Sequence, residues 1–184
     1  HALLALAAMY AGVLYAPIAP AYSLQARDYG TLGQIFQLLQ PGLVFAADGA
    51  RFAAALASVL PKGVELVTSL STPEGMAATP LAELEATPVT PQVDEAHARV
   101  NPDTIAKILF TSGSTGRPKG VINTQRMLCA NQEQIRTVMT FLVDEPPIIC
   151  DWLPWNHTFG GNHDFGLVLY NGGTFYLDEG RPTP

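Results

Sequence analysis

The chain has 184 residues, of which 48% are hydrophobic and only 14% are charged, so it has enough apolar residues for a large buried core. A chain this poor in charge is not disordered as a whole. The formal net charge of −6 disfavours a broad surface for nucleic acid or for an anionic membrane, and no partner of either kind is expected.

Apolar residues alternate between helical and strand spacing in residues 1–70. The helical spacing i, i+3, i+4, i+7 is clearest in one segment, at Leu32, Ile35, Phe36 and Leu39. The predicted elements of this part are helix 2–11, strand 13–18, helix 29–40, strand 43–46, helix 52–60 and strand 64–68. Together they predict a first α/β unit over residues 1–70.

Residues 71–103 differ in kind, because prolines stand among Thr, Ser, Glu and Ala, with only a weak helical patch at 81–84. This composition predicts a surface connection. The second α/β unit, residues 104–184, is predicted to contain strand 105–110, strand 121–122, helix 124–142, strand 148–151, helix 159–170 and strand 174–177. The alternation predicts an α/β fold with mostly parallel sheets and flanking helices.

The cysteines and the apolar N-terminus bear on the compartment. Cys129 and Cys150 have no CxxC spacing, which favours a reduced, cytoplasmic protein. Residues 2–11 are apolar but lack the basic flank of a signal peptide. No uninterrupted apolar run reaches about 20 residues, so we expect no transmembrane helix.

The most informative stretch runs from Ile108 to Val121 and reads ILFTSGSTGRPKGV. Its glycines let the backbone approach a ligand closely, and its hydroxyl and ammonium groups suit phosphate oxygens. Because it follows a predicted buried strand, we expect it at the carboxyl edge of a sheet, where α/β folds bind ligands. The phosphates of ATP are the natural ligand, and the candidate residues are Thr111, Ser112, Gly113, Ser114, Thr115, Gly116 and Lys119.

Two commoner phosphate loops do not match this stretch. A Walker A loop requires a lysine directly after its last glycine, whereas Lys119 precedes Gly120. The dinucleotide fingerprint G-x-G-x-x-G is absent because Thr115 stands two residues after Gly113. A flexible Gly/Ser linker is the structural alternative, but linkers rarely lie between two strands.

Residues 111–120, TSGSTGRPKG, resemble the signature loop of the AMP-forming adenylating superfamily, which includes acyl-CoA synthetases, luciferases and peptide-synthetase adenylation domains. Residues 12–20, GVLYAPIAP, are similar to an upstream strand motif of that family. The resemblance implies that a carboxylate attacks the α-phosphate of ATP, giving an acyl-adenylate and pyrophosphate. The acyl group then passes to a thiol, usually coenzyme A. It also implies that Lys119 is catalytic. Many relatives have Thr-His after the loop, whereas Gln125 follows Thr124 here.

The second informative stretch, residues 151–161, reads DWLPWNHTFGG and follows a predicted strand. It resembles the family's P-L-F-H-x-x-G segment, whose His borders the acyl pocket near the reacting carboxylate. His157 matches that position, which implies a catalytic role for it. Trp155 and Asn156 replace the more usual Leu-Phe pair. The candidate substrate-binding residues are Trp155, His157, Phe159 and Gly160.

Structural roles for these side chains stay open. His157 could be a helix-start residue bonded to the backbone. Trp155 and Phe159 could belong to a core as readily as to a pocket. His157, His163 and Asp164 lack the spacing of a zinc site, so no metal ligand is assigned in this chain.

Residues 151–184 look most like feruloyl-CoA synthetases, a similarity that covers most of residues 100–184. It implies that the parent enzyme activates ferulate or a related hydroxycinnamate in phenylpropanoid catabolism, so the partner is a small aromatic carboxylic acid. Aromatic residues in this stretch suit stacking on a flat ring, namely Trp152, Trp155, Phe159, Phe165 and Tyr170. The alternatives are another acyl-adenylating enzyme, acting on a fatty acid, another aryl acid or an amino acid, and a nucleotide-binding module without chemistry.

Members of the superfamily have several hundred residues, and this chain resembles only the middle of their large N-terminal domain. The resemblance implies that most ligands of Mg²⁺, the aspartate on the ribose, the C-terminal lysine on the carboxylate and most of the coenzyme A site lie in segments absent here. We therefore expect both ends of the chain to be cut and the isolated chain to be inactive.

Overall fold

Helices and strands alternate along the chain in the computed structural model, which describes residues 1–111 and 117–178. The strands are β1 (Leu43–Asp48), β2 (Glu65–Ser71), β3 (Thr79–Pro80), β4 (Ile105–Thr111), β5 (Lys119–Thr124), β6 (Ile148–Asp151) and β7 (Thr174–Leu177). The α-helices are α1 (Ala2–Tyr10), α2 (Ala21–Leu24), α3 (Gly30–Leu39), α4 (Ala53–Val59), α5 (Leu81–Glu85), α6 (Pro91–Ala98), α7 (Gln125–Val138) and α8 (Phe165–Tyr170). A 3₁₀-helix spans Thr140–Val143 and a π-helix spans Phe159–Asp164.

The described residues divide into two units. The first contains residues 1–5, 19–94 and 117–119, and the second contains residues 6–18, 95–111 and 120–178. Helices α1 and α6 and strand β5 contribute residues to both units.

The first unit is built on a parallel sheet with the strand order β1-β2-β3. Strands β1 and β2 pair from Leu43 opposite Glu65 to Ala46 opposite Thr68. Helix α4 connects them, since neighbouring parallel strands require a crossover. Apolar side chains of the sheet and of α3 and α4 are buried, namely Leu32, Ile35, Ala46, Ala55, Leu56, Leu66 and Val67.

The second unit contains two two-stranded sheets, β4-β5 and β6-β7. Strands β6 and β7 are parallel and bring Asp151 opposite Leu177. Helix α7 begins directly after β5, where the Thr124 hydroxyl accepts a hydrogen bond from the Met127 amide at 3.3 Å. The buried apolar residues of this unit include Ala106, Leu109, Leu142, Leu167 and Val168.

These pairings confirm the predicted α/β class with mostly parallel strands. Within residues 1–111 and 117–178, no helix is long and apolar enough to cross a membrane. The domain boundaries predicted at residues 70 and 103 stay a prediction.

Several elements differ from their predicted form. Residues 13–18 do not form a strand, because Pro17 has no N–H to donate to a ladder; Tyr15 alone makes a bridge there, to Lys107. The predicted helix 124–142 ends at Val138, since Met139 has the non-helical angles φ −99° and ψ 68°, and the 3₁₀-helix follows. The predicted helix 159–170 begins as a π-helix and becomes α-helical only at residue 165.

Residues 71–103 hold more structure than the predicted helical patch. They contain β3, α5 and α6. Pro91 opens α6, a position where proline's missing N–H costs nothing and its fixed φ suits a helix. Neither α5 nor α6 has a buried residue, so both lie on the surface.

Candidate functional site

The ends of two neighbouring strands flank the candidate phosphate loop. Thr111 is the last residue of β4 and Lys119 is the first residue of β5, and both are exposed. Next to Lys119, Gly120 lets β5 lie close to β4, because a Cβ at Gly120 would stand 2.8 Å from the Cγ2 of Ile108. The other predicted phosphate ligands lie outside the described residues, namely Ser112, Gly113, Ser114, Thr115 and Gly116.

The candidate acyl segment starts with two turns after β6. Buried Asp151 accepts a hydrogen bond on Oδ1 from the Leu153 amide at 2.9 Å, which fixes the chain as it leaves the strand. The His157 amide then donates to the Pro154 carbonyl at 3.0 Å. Trp155 is half-buried in this second turn.

His157 is exposed at the entry to the π-helix. Its Nδ1 accepts a hydrogen bond from the Phe159 amide at 3.3 Å. A ring nitrogen that accepts from an amide carries no proton, so the neutral imidazole has its proton on Nε2. The Nε2–H group is therefore the hydrogen-bond donor of the ring. The backbone contact also matches the structural alternative, a helix-start histidine.

Aromatic side chains of the acyl segment fall into two groups. The Trp155 ring packs on Phe165 at 4.7 Å and on Phe175 at 6.2 Å between centroids. Phe159 stacks on His163 at 5.0 Å and remains 52% exposed. Trp155 thus packs mainly within the protein, whereas Phe159 has more surface to offer a ligand.

Two buried glycines bring the π-helix directly onto the backbone before it. A Cβ at Gly160 would lie 2.9 Å from the carbonyl oxygens of Leu153 and Pro154. A Cβ at Gly161 would overlap the carbonyl oxygen of Trp155. Gly160, predicted to bind substrate, therefore also has a packing role that only a residue without a side chain fulfils.

Sequence reasoning missed Lys107 and Gln132, which are buried at 4% exposure each. The Lys107 ammonium donates to the Gly161 carbonyl at 2.9 Å, and burial lowers the pKa of Lys107 to about 8. The Gln132 amide donates to the Asn162 carbonyl at 2.9 Å. A signal for Lys107 was present, because it is the single charged residue in the apolar strand IAKILF.

Sequence reasoning assigned no role to the carboxylate of Asp164, which ends the π-helix. Asp164 is 8% exposed and shares a hydrogen bond with His163, Nδ1 to Oδ1, at 2.6 Å. Burial raises the pKa of Asp164, the negative charge of Asp151 acts in the same direction, and the bond to His163 opposes both. The described parts of the chain contain no group of three His, Cys, Asp or Glu side chains that could hold a metal ion.

Comparisons with known proteins identify the family of the chain. The family model for the AMP-binding enzyme matches residues 1–184. The medium-chain-fatty-acid–[acyl-carrier-protein] ligase TtuA of Teredinibacter turnerae is 44% identical over 59 residues, which make up 32% of this chain and 9% of the relative. The 3-[(3aS,4S,7aS)-7a-methyl-1,5-dioxo-octahydro-1H-inden-4-yl]propanoyl:CoA ligase of Rhodococcus jostii is 34% identical over 83 residues, 45% of this chain and 16% of the relative.

A solved structure extends the similarity over nearly the whole chain. ATP-bound MatB from Rhodopseudomonas palustris superposes with a TM-score of 0.63 at 25% identity, covering 96% of this chain and 32% of that one. The chain therefore spans about a third or less of the length of each of these three proteins. None of the three carries ferulate in its name.

Proposed function

This chain belongs to the AMP-binding enzyme family, and we propose that the protein that carries it is an acid–thiol ligase that adenylates a carboxylic acid with ATP. The observation that carries the proposal is the placement of the two described residues that flank the signature loop in the sequence. Exposed Thr111 and Lys119 lie at its two ends, on neighbouring strands, where a hydroxyl and an ammonium are open to a nucleotide.

In the first step, an oxygen of the acid's carboxylate forms a bond to the α-phosphorus of ATP. The bond from that phosphorus to pyrophosphate breaks, and pyrophosphate leaves. Lys119 is proposed to stabilise negative charge that grows on the departing phosphates, and the Thr111 hydroxyl to donate to a phosphate oxygen. Ser112, Ser114 and Thr115 are proposed to add hydroxyl donors from the loop.

His157 is proposed to orient the acid. Its Nε2–H group donates to one carboxylate oxygen and leaves the other oxygen to attack the α-phosphorus. The Phe159 amide holds the ring in the required tautomer, in the way that a backbone contact orients other functional histidines.

In the second step, the thiol of coenzyme A attacks the acyl carbon, and AMP leaves. The Rhodococcus relative is named as a CoA ligase, which supports this acceptor. Mg²⁺ would neutralise phosphate charge when bound, but the described residues offer no cluster to hold it, so no step is assigned to a metal ligand of this chain. A cytoplasmic location is proposed only from the cysteine usage.

The finer part of the proposal is the acid, a hydroxycinnamate such as ferulate. A flat ring needs an apolar surface of aromatic side chains. Phe159 at 52% exposure and Trp152 at 53% exposure offer such surfaces near His157 in the sequence.

A medium-chain fatty acid is the second candidate. The Teredinibacter relative, 44% identical over 59 residues, is named for that substrate and for an acyl-carrier-protein acceptor. A fatty acid would require a long aliphatic tunnel rather than a flat slot.

The test is acid-dependent pyrophosphate release by the protein that carries this chain. Ferulate, coumarate and octanoate are compared with and without coenzyme A, and thioester is measured separately. We expect pyrophosphate with ferulate and thioester only when coenzyme A is added. Preference for octanoate would select the second candidate. Absence of acid-dependent pyrophosphate with the whole panel would contradict the ligase itself.

A further inference from the structure

Side chains from three elements of the second unit hold one short stretch of the π-helix. Lys107 of β4 donates to the Gly161 carbonyl at 2.9 Å. Gln132 of α7 donates to the Asn162 carbonyl at 2.9 Å. The Asn162 side chain donates to Oδ1 of Asn123, on β5, at 2.9 Å. Two adjacent residues are thus fixed from three directions.

The π-helical turn explains why backbone carbonyls accept these side chains. The Phe165 amide donates to the Gly160 carbonyl, five residues back, which interrupts the regular i to i−4 ladder. Buried carbonyls near such an interruption need other donors. Lys107 and Gln132 supply them from outside the helix.

The two donors are costly choices for a buried position. In the described residues no carboxylate forms an ion pair with Lys107, and Oε1 of Gln132 is buried without a hydrogen-bond partner. Burying an ammonium or half of an amide in this way opposes folding. A neutral donor with all of its polar atoms bonded would satisfy these carbonyls at lower cost, so folding stability alone does not account for the choice of these two residues.

The stretch that they hold begins at the last residue of the candidate acyl segment and contacts earlier residues of that segment. The Gly161 amide donates to the His157 carbonyl at 2.9 Å. Gly161 also lies so close to the Trp155 carbonyl that no Cβ would fit between them. A shift of the backbone at Gly161 is therefore transmitted to the turn that presents the His157 ring.

We propose that Lys107 and Gln132 are positioning residues that hold the π-helix so that His157 meets the carboxylate of the acid. The proposal rests on the ligase function proposed above. Neither side chain touches the substrate, and both act through the backbone of Gly161 and Asn162.

The experiment uses the full protein that carries this chain, with the variants Lys107→Met and Gln132→Met. Methionine keeps the length of each side chain and removes the donor. Lys62→Met, which removes an exposed lysine of the first unit, is the matched control. We expect the KM for the acid to rise about tenfold in both variants, with the KM for ATP within about twofold of wild type.

Hydrogen exchange over residues 155–165 provides a readout that needs no activity. We expect faster exchange there in Lys107→Met and Gln132→Met, and wild-type exchange in Lys62→Met. Because the two donors serve adjacent carbonyls, the double variant should raise the KM by less than the product of the two single effects.

The outcomes separate the two proposals. Unchanged exchange, or equal rises in the KM for acid and ATP, overturns the positioning role. Faster exchange in an enzyme without acid-dependent pyrophosphate release overturns the ligase function and the role in acid binding, and leaves only the anchoring of the helix. If Lys107→Met does not fold, Gln132→Met decides by the same two measurements.

Discussion

The two units of the chain bury different chemistry. Among the described residues of the first unit, Thr68 is the one buried polar side chain, and the others are apolar. The second unit buries an ammonium, an amide and two carboxylates, those of Lys107, Gln132, Asp151 and Asp164. Since burial of charged groups opposes folding, the second unit gives up stability that the first keeps.

The buried polar groups of the second unit share a location. Asp151 fixes the turn at Leu153, Lys107 binds Gly161, and Asp164 ends the π-helix. All act on residues 151–164, the segment that carries His157. The comparison indicates that polar burial here fixes the backbone of the candidate acyl segment, whereas the first unit follows the ordinary rules of an apolar core.

The largest effect on stability is expected from replacing a closely packed glycine by alanine, and each unit offers one such glycine. Gly161→Ala would overlap the Trp155 carbonyl, and Gly49→Ala would place a Cβ 2.6 Å from the Ser71 carbonyl. We expect each to lower the free energy of unfolding by about 3 kcal/mol, the upper end for overpacking. Only Gly161→Ala should also raise the KM for the acid.

Chemical denaturation and steady-state kinetics measure the two quantities. Gly42→Ala is the control, since nothing lies within 4 Å of a Cβ built there. If Gly49→Ala changes the KM for the acid as much as Gly161→Ala does, the contrast between the units is wrong.

The next effect removes charge at the phosphate loop without touching either core. Lys119 is exposed, so Lys119→Ala should leave stability within about 0.5 kcal/mol of wild type. Pyrophosphate release should fall about 100-fold, the loss typical of one preorganised donor. Lys62→Ala, also at an exposed lysine, should leave the rate unchanged. An equally fast Lys119→Ala enzyme would reduce the loop to a structural element.

The third effect is a pH dependence of stability that arises from Lys107, a buried residue of the second unit. Burial lowers the pKa of Lys107 from its ordinary 10.5 to about 8. Between these values the unfolded chain keeps a proton that the folded chain has released, so stability rises with pH. From about pH 7 to about pH 9.5, wild type should gain about 2 kcal/mol relative to Lys107→Met.

Denaturation midpoints across this range measure the difference between the two proteins. Burial raises the pKa of neighbouring Tyr15, and because both proteins contain this tyrosine, its ionisation does not enter the difference between them. If the difference in stability does not vary with pH, burial does not lower the pKa of Lys107.

The sequence predicts much of the first unit because its rules are local. Helical spacing at Leu32, Ile35 and Leu39 and the apolar runs around Ala46 and Val67 suffice to predict α3, β1 and β2. The signature loop is predicted from the sequence alone, because phosphate binding depends on the spacing of its glycines, hydroxyl groups and lysine.

The second unit is harder to predict because its contacts are remote. Lys107 and Gly161 are 54 residues apart, and no spacing rule joins them. The apolar pattern of residues 159–170 fits an α-helix, and the π-turn arises from packing of Gly160 and Gly161 on the preceding backbone. In residues 13–18 the reason is local instead, because Pro17 has no N–H for a strand ladder.

The smallest expected effect concerns the His157 ring itself. Its Nε2–H group is proposed to make one hydrogen bond to a charged carboxylate, so His157→Ala should lower kcat/KM for the acid about tenfold, through lower turnover and a higher KM for the acid, with the KM for ATP unchanged. His157→Asn, which keeps a side-chain donor, should recover part of the rate. His97→Ala is the matched control, since His97 is exposed and stacks on Tyr10 away from the acyl segment in sequence. If His157→Ala loses about tenfold and His157→Asn recovers none of it, the ring acts by packing on the backbone of Phe159 and not as a hydrogen-bond donor. If His157→Ala turns over at the wild-type rate, His157 does not orient the acid, and the π-helix must act through another group.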